Sequence, residues 1–95
     1  MRVEISEQAF SFTLAQAPDP RRRLRRALRG LERETGDILA LEGRLSGYWR
    51  LRTGPFRLIF RYVVRGKTRM IRCEFIERRS VVYEVFEQVV KSLKP

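Results

Sequence analysis

The amino-acid sequence predicts an α+β fold: an N-terminal strand and a helical hairpin packed on a small antiparallel sheet, with a C-terminal helix. Three observations lead there. Apolar residues recur at helical spacing up to Leu31, the period drops to two between Tyr48 and Glu77, and a helical stripe returns from Val82 onward. The 95 residues make one domain, 1–95, with a single modest core and no second lobe.

Residues 2–5 form a short strand. Ser6 is placed to cap a helix whose apolar positions Ala9, Phe10, Leu14 and Ala17 share a face, and Pro18 ends it. Asp19-Pro20 supplies the cap and first residue of a second helix with a buried stripe of Leu24, Ala27, Leu28 and Leu31, which stops near Gly36. After a loop over residues 43–47, strands follow at 48–52, 56–64 and 68–77, with turns at Thr53-Gly54-Pro55 and Arg65-Gly66-Lys67. These make at least a three-stranded antiparallel sheet. Ser80 caps a final helix with Val82, Val85, Phe86, Val89 and Leu93 along one side.

Alternation sorts the strand side chains into two faces. Trp49, Leu51, Phe56, Leu58, Phe60 and Tyr62 point toward the helices, as do Ile71, Cys73 and Phe75. Arg50, Arg52, Arg57, Arg61 and Arg72 then share the open side with Tyr48, where they repel one another unless an anion bridges them. Tyr83, near the start of the last helix, leans toward that side. Such arginines are often only a solvated surface, and so is the run of Arg21, Arg22, Arg23, Arg25, Arg26 and Arg29 on the second helix.

Charge and composition set the partners. Lys+Arg number 21 against 11 Asp+Glu, a formal charge of +10, which attracts polyanions in a salt-dependent way. Arginine predominates, and its planar fork matches phosphate oxygens in pairs, so nucleic acid is favoured. With one cysteine and no histidine, zinc sites, disulfide frameworks and histidine-dependent triads are excluded. Cys73 falls in an alternating apolar run and reads as a small buried hydrophobe. No stretch is apolar enough for a bilayer span or a signal peptide, so the expected location is cytoplasmic, without membrane association. No P-loop or other cofactor motif is present, and none is expected.

The run Leu51-Arg52-Thr53-Gly54-Pro55-Phe56-Arg57-Leu58-Ile59-Phe60, followed by a strand and Arg78-Arg79-Ser80-Val81-Val82-Tyr83, resembles the central and final signature of the RelE/ParE superfamily of bacterial toxin–antitoxin toxins. The order of elements agrees with that family over nearly the whole chain. The resemblance implies a microbial RNase-like fold, a cognate acidic antitoxin bound in a hetero-oligomer and, for the RelE branch, cleavage of mRNA in the ribosomal A site without a metal. The ParE branch instead inhibits DNA gyrase, and a basic RNA-binding module without catalysis is a further alternative.

Carried over residue by residue, the resemblance favours the RelE branch. Arg50 stands where that branch often has a catalytic lysine, and Arg57 matches the arginine facing the scissile phosphate. Arg79 matches an arginine near the end of the last strand, and Tyr83 the tyrosine that stacks on substrate. Arg52, Arg61, Arg78 and Tyr48 are the expected substrate-binding residues. Two positions depart from the pattern: Tyr48 replaces a frequent second lysine, and Glu77 a frequent arginine whose charge Arg78 would take over. The implied reaction is attack of the ribose 2′-hydroxyl on the adjacent phosphorus, giving a 2′,3′-cyclic phosphate and a free 5′-hydroxyl. Arginine is too basic to accept the proton, so Tyr83, Glu77, an ordered water or the ribosome must do so.

Overall fold

The computed structural model describes residues 1–93. In chain order the elements are β1 (Val3–Ile5), α1 (Glu7–Leu14), α2 (Pro18–Leu31), β2 (Asp37–Ala40), a 3-10 turn (Gly43–Leu45), β3 (Trp49–Thr53), β4 (Phe56–Arg65), β5 (Thr68–Arg78) and α3 (Val82–Leu93). The fold is mixed α+β, as the sequence predicts. Its five strands lie in the order β1-β5-β4-β3-β2, with β1 parallel to β5 and the other pairs antiparallel. The edge strand β2 is a correction to the expected sheet. Its four residues are too few to show a period, and the strand is defined by its pairing with β3.

Ser6 caps α1 as expected, its hydroxyl accepting the Ala9 N–H at 3.1 Å. The buried line of α1 is Ala9, Phe12 and Thr13, whereas Phe10 and Leu14 are 56% and 45% exposed. Thr13 tolerates burial because its hydroxyl donates to the Ala9 carbonyl at 2.8 Å. The helix ends at Leu14, before Ala17. Ala17 is the N-cap of α2, with Pro18 rather than Pro20 opening it and Asp19 in its first turn. Leu24, Leu28 and Leu31 are buried as expected, and the helix stops at Leu31, short of Gly36. On α3 the inward residues are Val82, Phe86, Val89 and Val90, while Val85 and Leu93 are exposed. Ser80 sits in the turn ahead of this helix.

The sheet has a core on each side. Against α1 and α2 pack Leu51, Phe56, Leu58, Phe60, Ile71, Cys73 and Ile76. Burial makes Cys73 an inert hydrophobe and pushes its thiol up to about 12. On the other side, Ile59 and Phe75 are buried with Leu45, Val82 and Phe86. Phe75 therefore lies opposite the face that simple alternation assigns it. The cause is a register shift: Ile59 pairs with Phe75, yet Phe60 pairs with Cys73, so Glu74 is an extra residue in β5. The face expected to be open is consequently covered in part by α3. Burying Ile59 and Phe75 there contributes about 1.5–3 kcal/mol each.

The start of α1 secures β5 past this bulge. The Ser6 N–H donates to the Cys73 carbonyl at 2.9 Å and its hydroxyl to the Glu74 carbonyl at 2.7 Å. Beyond the end of β1, the Gln8 carboxamide acts as a substitute strand partner. Its Nε2 donates to the Ile76 carbonyl at 2.7 Å and its Oε1 accepts the Ile76 N–H at 2.9 Å. Gln8→Ala removes the partners of both main-chain groups of Ile76, and a loss of about 1–3 kcal/mol is expected. In thermal unfolding this lowers Tm by roughly 4–8 °C per kcal/mol for a domain of this size. Replacement of the exposed Gln88 by Ala changes stability by less than about 0.5 kcal/mol.

Candidate functional site

Four charged residues stand in one row across the sheet. Asp37, Arg52, Arg57 and Glu77 are direct register partners on β2, β3, β4 and β5. The next row is Leu39, Arg50, Ile59 and Phe75, of which Ile59 and Phe75 seat α3. The charges thus lie between α3 and the Gly54-Pro55 turn. Gly54 takes φ +56°, the positive value that a two-residue hairpin requires at its first central position.

Arg57 is only 9% exposed. Its Nη1 donates to the Gly54 carbonyl at 3.1 Å and the Phe56 carbonyl at 2.9 Å, so the side chain laces the turn. No buried side-chain nitrogen or oxygen among the described residues lacks a partner, so the other Arg57 donors reach solvent. The main-chain N–H of Arg79 donates to the Pro55 carbonyl at 2.8 Å, tying the end of β5 to the same turn and leaving the Arg79 side chain exposed.

Asp37 is the internal anion of this cluster. Arg50 Nη1 donates to its carbonyl at 2.9 Å and to its Oδ1 at 3.1 Å, and Arg52 Nε meets Oδ2 at 2.8 Å. The Arg50 side chain is 14% exposed and that of Arg52 58%. The hydrogen bond from Arg50, with smaller contributions from the Arg50 and Arg52 charges, holds the Asp37 carboxyl below its usual 3.8 despite an opposing desolvation effect. The sequence reading missed Asp37, because its strand was not recognised.

The remaining expected residues divide by position. Tyr83, in the first turn of α3, is half-buried against the patch of Ile59, Phe75 and Phe86, on the same face as Arg50, Arg52 and Arg57. Tyr48 packs edge-on against Phe86, with ring centroids 5.0 Å apart, and is half-buried against the core beneath α3. Arg61 lies four residues along β4 from Arg57, about 13 Å away, with the Ile59 row between them. Its Nε meets Glu74 at 3.3 Å, and Glu74 and Glu4 both also pair with Arg72. Arg78 is opposite Phe56 in register, and its guanidinium lies 5.3 Å from that ring. It therefore faces α2, away from Arg57, and Glu77 takes the place beside Arg57.

The fold matches solved toxin structures. The YoeB/ParE toxin from Agrobacterium tumefaciens superposes with a TM-score of 0.65 at 18% identity, over 83% of this chain and 99% of that one. The RelBE2 toxin–antitoxin complex from Mycobacterium tuberculosis gives 0.61 at 17% identity, over 82% and 96%. The RelB–RelE antitoxin–toxin complex from Methanococcus jannaschii gives 0.60 at 18%, over 87% and 98%. No protein-family model matches the sequence, and no curated protein matches it either. The chain has the fold of the RelE/YoeB-type toxins.

The Asp37 geometry fixes a pH dependence. Because its folded-state pKa is lowered, the carboxylate stabilises the fold above its ordinary 3.8, and that stabilisation is lost as pH falls through the lower folded value. Denaturation midpoints of the parent should exceed those of Asp37→Asn at pH 6. The gap should close as pH drops below the ordinary aspartate range, and a gap constant down to pH 2 would refute the ion-pair account.

Proposed function

We propose that this protein is the cytoplasmic toxin of a toxin–antitoxin pair and acts as a ribosome-dependent endoribonuclease on messenger RNA. The observation that carries this reading is the convergence of Arg50, Arg52, Arg57 and Glu77 on one face, beside Tyr83 of α3, in a fold shared with RelE/YoeB-type toxins. The formal charge of +10 favours an acidic antitoxin as partner, and two of the similar structures are toxin–antitoxin complexes.

In the proposed reaction the 2′-oxygen attacks phosphorus, the bond to the 5′-oxygen breaks, and a 2′,3′-cyclic phosphate forms. Negative charge gathers on the non-bridging oxygens, where the solvent-facing donors of Arg57, with Arg50 and Arg79, would stabilise it. Arg50 is already oriented by Asp37, which lowers the entropy lost on binding. Glu77 is the carboxylate best placed to take the 2′-hydroxyl proton. One of its oxygens accepts the Arg78 N–H at 2.9 Å, leaving the other for the reaction. The 5′-oxygen takes its proton from water, and Tyr83 stacks on a base. Arg52 positions the strand.

Cleavage of a message on stalled ribosomes tests the reading, with thermal unfolding as a control for folding. Arg57→Ala is expected to slow cleavage by about 10²–10³-fold, and Glu77→Gln by about 10²–10⁴-fold. Cleavage unchanged in both Arg57→Ala and Tyr83→Phe would remove the site assignment. Inhibition of gyrase supercoiling with no cleavage would place the protein with the ParE branch.

A further inference from the structure

We propose that α2 and the β3–β4 hairpin form a second nucleic-acid surface, a groove that takes the phosphodiester backbone of a single strand. It meets the arginine row of the sheet only at Arg52 and requires neither a ribosome nor a reaction.

The first support is the distribution of counter-ions. On the sheet each cluster of arginines has its own carboxylate: Asp37 for Arg50 and Arg52, Glu74 for Arg61 and Arg72, and Glu4 for Arg65 and Arg72. Arg23, Arg26, Arg33 and Arg78 have no such pairing among the described residues. Arg2, Arg44, Arg57, Arg69 and Arg79 are likewise without an ion pair among the described residues, so what marks these four is that they line adjoining depressions, with Asp19, paired to Arg22, at one end.

The second is shape. Two adjoining depressions, of ≈ 420 Å³ and ≈ 280 Å³, share Arg23 and Arg26. One runs past Phe56 to Arg78, and the other past Leu51 to Arg33. Together they make a continuous concave path with guanidinium groups along its length.

The third is preorganisation. The Arg23 guanidinium lies so close over Gly54 that a Cβ there would meet Nη1 at 3.0 Å, and Arg78 is stacked on Phe56. Two planar forks are thus held against rigid surfaces. Arg23 and Arg26 are separated by about 4.5 Å of helical rise, on the scale of the roughly 3.4 Å of axial rise per phosphate along one stacked strand. A partner helix is a poorer fit, because it needs an apolar seat. The exposed apolar residues Phe10 and Leu14 lie on α1, outside this groove.

Fluorescence anisotropy with labelled 12-nucleotide oligo-U and oligo-dT tests the groove. Arg23→Ala with Arg26→Ala is compared with Arg2→Ala plus Arg44→Ala, which removes the same charge elsewhere. Two lost phosphate contacts should reduce the slope of log affinity against log salt by about 1.4, at about 0.7 per phosphate, and raise Kd about tenfold or more at 0.1 M salt. The control pair should change Kd by less than about threefold. Arg23→Lys with Arg26→Lys, which keeps the charge, should preserve the slope. Equal binding of the two oligomers supports a phosphate reader, and preference for oligo-U supports one that also senses the 2′-hydroxyl. Equal losses in both alanine pairs, or an unchanged slope, would overturn the proposal. So would polyglutamate binding with the same dependence on Arg23 and Arg26, which would assign the groove to an acidic protein segment.

Discussion

Where Ile59 and Phe60 of β4 meet Phe75 and Cys73 of β5, one strand carries an extra residue, Glu74, and side-chain alternation reverses across it. Much of the surface chemistry follows from that reversal. With regular alternation Phe75 would enter the α1/α2 core, and Arg78 would share the face of Arg50, Arg52 and Arg57. With the bulge, Phe75 joins Ile59 in a second core that anchors α3, Arg78 stacks on Phe56 toward α2, and Glu77 stands opposite Arg57. A crowded cationic row becomes one that ends in a carboxylate on each side, which lessens the repulsion between adjacent guanidiniums. The bulge residue also places its own carboxylate between Arg61 and Arg72.

This arrangement lets a chain of formal charge +10 fold into a tight sheet. The pairs are partly exposed, so each contributes little to stability. Their larger effect is orientation: a guanidinium held by Asp37 or Glu74 has fewer rotamers to lose when another anion arrives. The Gly54-Pro55 turn receives similar support. Arg57 and the Arg79 N–H bond its carbonyls, and Arg23 covers Gly54. A short hairpin loop is thereby joined to β4, β5 and α2 at once.

What the sequence disclosed follows the length of each pattern. The alternation of β3 and β4 and the leucine stripe of α2 repeat often enough to be unambiguous, and they correctly place Arg50, Arg52 and Arg57 on a common face. The eight-residue α1 offers too few turns to tell a face of Phe10 and Leu14 from one of Phe12 and Thr13, so tertiary packing decides. A bulge has no periodic signature. The adjacent buried pair Phe75-Ile76 does not reveal it either, because a sheet with a core on each side also buries neighbours on a regular strand, as at Leu58-Ile59. Missing the bulge misplaced Arg78. Missing β2 concealed Asp37 and with it the fixed geometry of Arg50 and Arg52. Arg61 and Tyr48 were grouped correctly by face, but alternation carries no information about α3, which places an apolar patch between them and Arg57.

The two basic regions differ in range as well as position. Paired charges cancel at distance, so the sheet arginines act mainly on groups in contact with them. The α2 flank projects a field that extends over a Debye length, about 8 Å at physiological ionic strength. Long-range attraction accelerates encounter without fixing orientation, whereas fixed guanidinium forks orient a phosphate but scarcely attract it from afar. In the proposed arrangement a polyanion would be drawn first to α2. The β3–β4 turn connects the two regions: Arg23 rests on it from one side, Arg57 laces it from the other, and Arg52 borders both the groove and the sheet face. A strand bound along α2 can reach Arg57 by crossing the small residues Thr53, Gly54 and Pro55, and bulky side chains there would separate capture from orientation.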